Sequence, residues 1–164
     1  MNKPPFIGNY KDFMEEDNQT YKGSDELLAY GAPVGKKLGL EKIGIHVVTI
    51  PPGRRTSWPH AESAEEEFAY VIEGNPSVWN DGYLTDLKPG DFIAWPAGTG
   101  ICHTILNNTK ENCLVLVGGE ANKDENKCYY ALNPKRNEEI KKTNFLWEDW
   151  PERDFGPHDG IPKK

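Results

Sequence analysis

The sequence predicts an all-β domain of antiparallel strands, and three observations carry that expectation. Between residues 43 and 132, about eight or nine short strand-like runs follow one another at a spacing of roughly ten residues. The 16 glycines and 13 prolines are spread along the chain, as turns between many short elements require. Asp81-Gly82 lies between two such runs and reads as a hairpin turn, because both residues tolerate positive φ. A length of 164 residues suits one domain. A chain of this size buries roughly 70% of its unfolded surface, enough for a core without staples.

The elements follow in order. Residues 1–39 form a polar N-terminal arm. Within it Ser24 is a candidate cap for a short helix over Asp25 to Tyr30, with acidic residues in the first turn and Gly31 to stop it. The body, residues 40–132, begins with Ile43 to Ile50, apolar on both faces and therefore expected to be buried on both. Pro51, Pro52 and Gly53 end that strand. Phe68 to Glu73, Ser77 to Asn80, Tyr83 to Leu87 and Asp91 to Trp95 follow, separated by Gly74-Asn75-Pro76, Asp81-Gly82 and Lys88-Pro89-Gly90. His103 to Leu106, Cys113 to Val117 and Lys127 to Leu132 complete the set. Residues 133–164 hold a short helix from Pro134 to Lys142, with Asn133 as cap and Pro134 at its first position. The tail after it carries Phe145, Leu146, Trp147, Trp150 and Phe155, and is expected to pack back on the body or on a second subunit.

Composition excludes several function classes. The net charge of −7 lacks the basic footprint that phosphate backbones need, so no nucleic acid partner is expected. No stretch approaches ~20 apolar residues and no basic amphipathic run appears, so no membrane association is expected. Cys102, Cys113 and Cys128 are odd in number and lack CxxC spacing. They fit a reducing, cytoplasmic setting better than a disulfide framework or a zinc ribbon.

The chemistry sits in two stretches. In GRRTSWPHAESAEEEFAYVIEG, residues 53–74, His60 and Glu62 are two apart and share one side of an extended segment. Glu67 opens the next strand. In GDFIAWPAGTGICHTILN, residues 90–107, His103 starts a strand after a Pro-Ala-Gly loop. Two imidazoles and one or two carboxylates on a rigid sheet form a plausible site for a divalent first-row metal. His46 has no partner in these stretches and is expected to pack structurally. Cys102, next to His103, is expected to face the opposite way into the core. Arg54 and Arg55 can serve either as a carboxylate clamp for a substrate or as loop charges that offset the glutamates.

These two stretches resemble the motifs of the cupin superfamily. Gly53, His60, Glu62, Glu67 and Gly74 follow the order of its first motif, and Gly90, Pro96, Gly98, His103 and Asn107 that of its second. The chain departs from the pattern in carrying Glu62 where the motif has a second His, with one extra residue before His60 and two before His103. The resemblance implies a double-stranded β-helix, a cupin-type barrel of two antiparallel sheets, with short flanking helices. It implies a metal held by His60, Glu67 and His103, with Glu62 as fourth ligand or as a catalytic base beside the ion. Zn, Fe, Mn and Ni all suit such ligands. The implied function is a metal-dependent enzyme on a small organic molecule, of dioxygenase, isomerase or lyase type. The alternatives are a non-catalytic module that binds or senses a small ligand, and a structural cupin without metal. A homodimer is the expected assembly, since sheet edges need cover.

Overall fold

The computed structural model describes residues 4–121 and 124–163. Among the described residues, ten strands, two short α-helices and a 3-10 turn at Tyr10–Phe13 make up the regular structure. The strands are β1 (Tyr30–Ala32), β2 (Ile43–Ile50), β3 (Ala61–Glu62), β4 (Glu67–Glu73), β5 (Ser77–Asn80), β6 (Tyr83–Asp86), β7 (Phe92–Trp95), β8 (His103–Leu106), β9 (Cys113–Glu120) and β10 (Cys128–Tyr129). The helices are α1 (Val34–Lys37) and α2 (Pro134–Lys141). A five-stranded antiparallel sheet runs β1-β2-β9-β4-β7, a three-stranded one β6-β5-β8, and a two-stranded ribbon pairs β10 with β3. The expected pair of antiparallel sheets is therefore present, with the ribbon added at one end.

The core lies between the inner faces of the two larger sheets. Ile50 of β2, Val71 of β4 and Val115 of β9 meet Val78 of β5 and Ile105 of β8, all nearly inaccessible. Each contributes roughly 1.5–3 kcal/mol of burial. The hairpin between β5 and β6 forms as expected. Asp81 and Gly82 take φ of 45° and 88°, and Asn80 pairs with Tyr83 across the two-residue turn.

The flanking segments wrap this body. Arg55 is buried and clamps both Glu26 oxygens, Nε and Nη2 each at 2.7 Å, while its Nη1 donates to the Gly160 carbonyl at 2.7 Å. One side chain thus ties arm, body and tail together. Arg54 pairs with Asp17 and donates to the Leu28 carbonyl. The two arginines are arm anchors, and neither is among the residues lining the main cavity. The tail packs on the chain's own body. Trp150 Nε1 donates to the Gly100 carbonyl, Trp79 Nε1 donates to the His158 carbonyl, and Arg153 pairs with Asp81.

Four local expectations change. Residues 25–30 form no helix. Ser24 Oγ does accept from the Glu26 N–H, but Leu28 N–H donates to Gln19 and Ala29 N–H to Arg55, so long-range partners draw the segment out. Strand β2 is buried on both faces only in its second half, where Val47 and Ile50 lie on opposite sides; in its first half Ile43 and His46 are exposed. The last strand shrinks to Cys128–Tyr129, and Asn133 opens α2 with its backbone carbonyl only, its side chain making no cap.

Candidate metal site

His60 and His103 face each other as an antiparallel pair. His103 N–H donates to the His60 carbonyl at 2.9 Å, and His60 N–H returns to the His103 carbonyl at 3.3 Å. This pairing sets the imidazoles side by side, ring centroids 5.0 Å apart. Each ring is oriented by its own chain. His60 Nδ1 sits 2.9 Å from the Trp58 carbonyl and His103 Nδ1 3.2 Å from the Ile101 carbonyl. Only a protonated Nδ1 can donate to a carbonyl, so Nε2 is the ligand atom that each ring offers inward.

Glu67 reaches between them from the first position of β4. Its Oε2 lies 3.0 Å from His103 Nε2 and 3.9 Å from His60 Nε2. The potential ligand atoms of His60, Glu67 and His103 all lie within 4.8 Å of one another, and together they can hold a metal ion. Burial pushes the Glu67 carboxyl up, but the hydrogen bond and charge of His103 and the charge of His60 outweigh it and hold the group at about 2. It is a carboxylate ready to meet a cation.

Close packing supports the site. Trp95 of β7 pairs with Glu67 of β4 and stacks on His103, ring centroids 3.9 Å apart. Trp95 Nε1 in turn donates to Asn80 Oδ1 at 2.9 Å. On the other flank Gly119 pairs with Glu67, and a Cβ there would come within 2.8 Å of the Glu66 carbonyl. Glycine is therefore required for β9 to approach the ligand strand. Asn107, the end of the second motif, is fully buried and donates to the Ile50 and Glu111 carbonyls while accepting from Thr109. Its role is to organise the turn into β9.

Comparison with known proteins matches residues 46–118, from β2 through β9, to the family described as Cupin domain. This stretch is a cupin domain. Among solved structures it is similar to a putative sugar phosphate isomerase from Acidithiobacillus ferrooxidans, at 28% identity over 66% of this chain and 67% of that one, with a TM-score of 0.60. It is also similar to a sugar phosphate isomerase of the cupin superfamily from Silicibacter pomeroyi, at 29% identity over 63% and 65%, again with a TM-score of 0.60. The chain spans about two thirds of the length of each of these two proteins. The polyketide cyclase RemF from Streptomyces resistomycificus shares the fold, with a TM-score of 0.61 over 89% and 99% of the chains at 18% identity. Comparison with curated proteins gives no match.

Glu62 marks where this stretch departs from the family motif. It stands beside the three-residue group and outside it. Its Oε1 is 3.7 Å from His60 Nε2, and its Oε2 accepts from Asn126 Nδ2 at 2.6 Å. Burial pushes its carboxyl up to about 7, against the charge of His60 and the bond from Asn126, which lower it. Cys102 is buried among Ala61, Trp79 and Leu106, facing the core as expected, and burial raises its thiol to about 12. Of the strand aromatics, Trp79 is core, Trp95 lines the cupin cavity, and Tyr70 and Phe92 are exposed.

A cavity of about 320 Å³ opens over His60, Glu67 and His103. Its lining includes His46, which the sequence reading assigned to packing, and Glu15 from the arm. His46 Nε2 also lies near Gly44, at whose position a Cβ would sit 4.0 Å from it. A lone histidine on a strand has no neighbour in sequence to reveal such a role. No helix among the described residues is long and apolar enough to cross a membrane.

Proposed function

We propose that this cupin is a metal-dependent enzyme that acts on a small organic molecule, with a divalent first-row ion held by His60, Glu67 and His103. The observation that carries the reading is the convergence of two preset Nε2 atoms and one low-pKa carboxylate on the floor of a cavity of small-molecule size. Two nitrogens and one carboxylate oxygen suit Zn, Fe, Mn or Ni. When bound, such an ion supplies Lewis acidity to an oxygen of the substrate.

The rest is done by the chain. Trp58 and Ile101 carbonyls fix the imidazoles, and Trp95 shields His103. Glu62, anchored by Asn126, stands within reach of the group as a fourth ligand or as a base that takes a proton from the substrate. A base beside a Lewis-acid site favours isomerase or lyase chemistry, and the isomerase names of the two similar structures at 28% and 29% identity point the same way. The buried, unpaired state of all three cysteines supports a reducing, cytoplasmic setting. Exposed Tyr70, Ile72 and Phe92 beside the free edge of β7 support the homodimer, which sedimentation can check.

The test is turnover of metal-loaded protein on small hydroxy-carbonyl compounds in deuterated water, followed by NMR. Deuterium incorporation that disappears in Glu62→Gln while the metal stays bound supports the reading. Bound metal with no turnover of any compound would favour a binding module instead.

A further inference from the structure

The cavity has two polar ends, and their charges differ. At one end stand His60, Glu67 and His103. At the other are His46 of β2 and Glu15 of the arm, held there by the Glu15 N–H bond to the Gly31 carbonyl at 3.0 Å. His46 pairs with Val117 of β9, and Val117 with Ala69 of β4, two residues along from Glu67. Two strand spacings across and two residues along therefore separate the two ends, roughly 12 Å between backbones. The wall between them is apolar, with Val48, Val117 and Ile105 facing the space. The hydroxyls on that wall are already engaged: Thr104 Oγ1 donates to the Ser57 carbonyl at 2.7 Å and lies 3.3 Å from Thr56 Oγ1.

Charge decides what fits. Among the described residues no Lys or Arg lines this cavity, and the two nearby arginines are committed to Glu26 and Asp17. Burial, opposed by Glu15, holds the His46 imidazole below its ordinary value, so it is neutral near pH 7. The far end thus carries the Glu15 charge alone, while a divalent ion at the near end offsets the Glu67 carboxylate and that of Glu62 beside it, so the near end holds no net negative charge. We infer that the substrate is a short molecule with a metal-binding oxygen group at one end and an ammonium or comparable hydrogen-bond donor at the other, received by Glu15 and His46. This rests on the metal reading above. It also sets the cavity against a phosphorylated substrate, whose second charge would find no cationic side chain.

Three hydroxamates with one chelating head and tails of about the same length, four chain atoms each, that end in an ammonium, a methyl or a carboxylate test it: 4-aminobutanohydroxamate, pentanohydroxamate and the monohydroxamate of succinate. Each is titrated into cobalt-loaded protein and followed by the visible spectrum. The amine is expected to bind about fivefold more tightly than the alkyl compound, as for an exposed charge pair, and the carboxylate more weakly than either. Glu15→Gln should erase the amine preference and leave alkyl binding unchanged. Equal binding of amine and alkyl, tightest binding by the carboxylate, or a preference that survives Glu15→Gln would overturn the inference while leaving the metal reading intact. Cobalt that fails to bind, or a spectrum that no hydroxamate changes, would remove the metal reading and this inference with it.

Discussion

The sheets between residues 43 and 120 and the two terminal segments that wrap them are held by different kinds of contact. In the sheets, β2 and β9 pair over eight consecutive positions, from Ile43 with Glu120 to Ile50 with Cys113. Each rung is like the next, and the loss of one side chain is shared among many neighbours. The termini depend on single residues. Arg55 holds Glu26 and Gly160, Asp81 receives Arg153, and two tryptophan N–H groups catch the tail. The sheets supply the rigid frame for His60, Glu67 and His103, while the arm supplies the cavity's outer rim. Stability and site geometry are therefore separable in this fold.

Trp79 lies where the two regions meet, and its replacement should break the contrast most strongly. It is fully buried in the second core cluster, stacks with Phe155 and donates to the tail. Trp79→Ala should cost about 3–5 kcal/mol in chemical denaturation. Hydrogen exchange should show residues 155–160 released as well, since their anchor is gone.

Arg55→Ala should be next. A fully buried ion pair broken on one side costs about 3–5 kcal/mol, but Glu26 is one third exposed, so about 2–3 kcal/mol is expected. Glu26 also sharpens the comparison through pH. Burial raises its carboxyl, yet the bonds from Arg55 and Trp58 lower it further, and the net shift is downward. A lowered carboxyl stabilises the fold above the unfolded value of 4.5 and loses that contribution as pH falls through the folded value. Wild-type protein should thus lose stability below pH 4.5 through this group, and Glu26→Gln should show a flatter acid limb in urea titrations. An unchanged acid limb would mean that the clasp carries no such linkage.

Arg153→Ala should have the smallest effect, about 1–2 kcal/mol: it leaves the buried Asp81 carboxylate without its cation, but that carboxylate keeps the bond from the Cys102 N–H. Its readout is exchange in the tail alone, with β2 and β9 protected as before.

The same contrast explains what was legible in the sequence. The runs that became β2, β5, β6, β7 and β8 were readable because strand alternation and turn chemistry are local. Strand β1 was missed: Tyr-Gly-Ala has no pattern of its own and is recruited by the open edge of β2, Tyr30 lying against Thr49. The helix expected over residues 25–30 had a cap and acidic first turn, yet its backbone donors are taken by Gln19 and Arg55 from elsewhere. At the site, His60, Glu67 and His103 stood out through motif spacing. Glu62 was visible too, but its partner Asn126 lies 64 residues away, and so its anchoring was not. His46 faces the cavity only because β9 sets it two strands from Glu67, a relation that exists in the sheet and not along the chain.

The metal content of untagged, freshly purified protein tests the central claim most directly. About one equivalent of a divalent first-row metal per chain is expected, with a higher melting temperature than the chelator-treated protein. His103→Ala and Glu67→Gln should each lose the metal and keep the β-sheet circular dichroism. A folded wild-type protein that carries no metal, and whose melting temperature does not move on adding zinc, iron, manganese or nickel, would contradict the account.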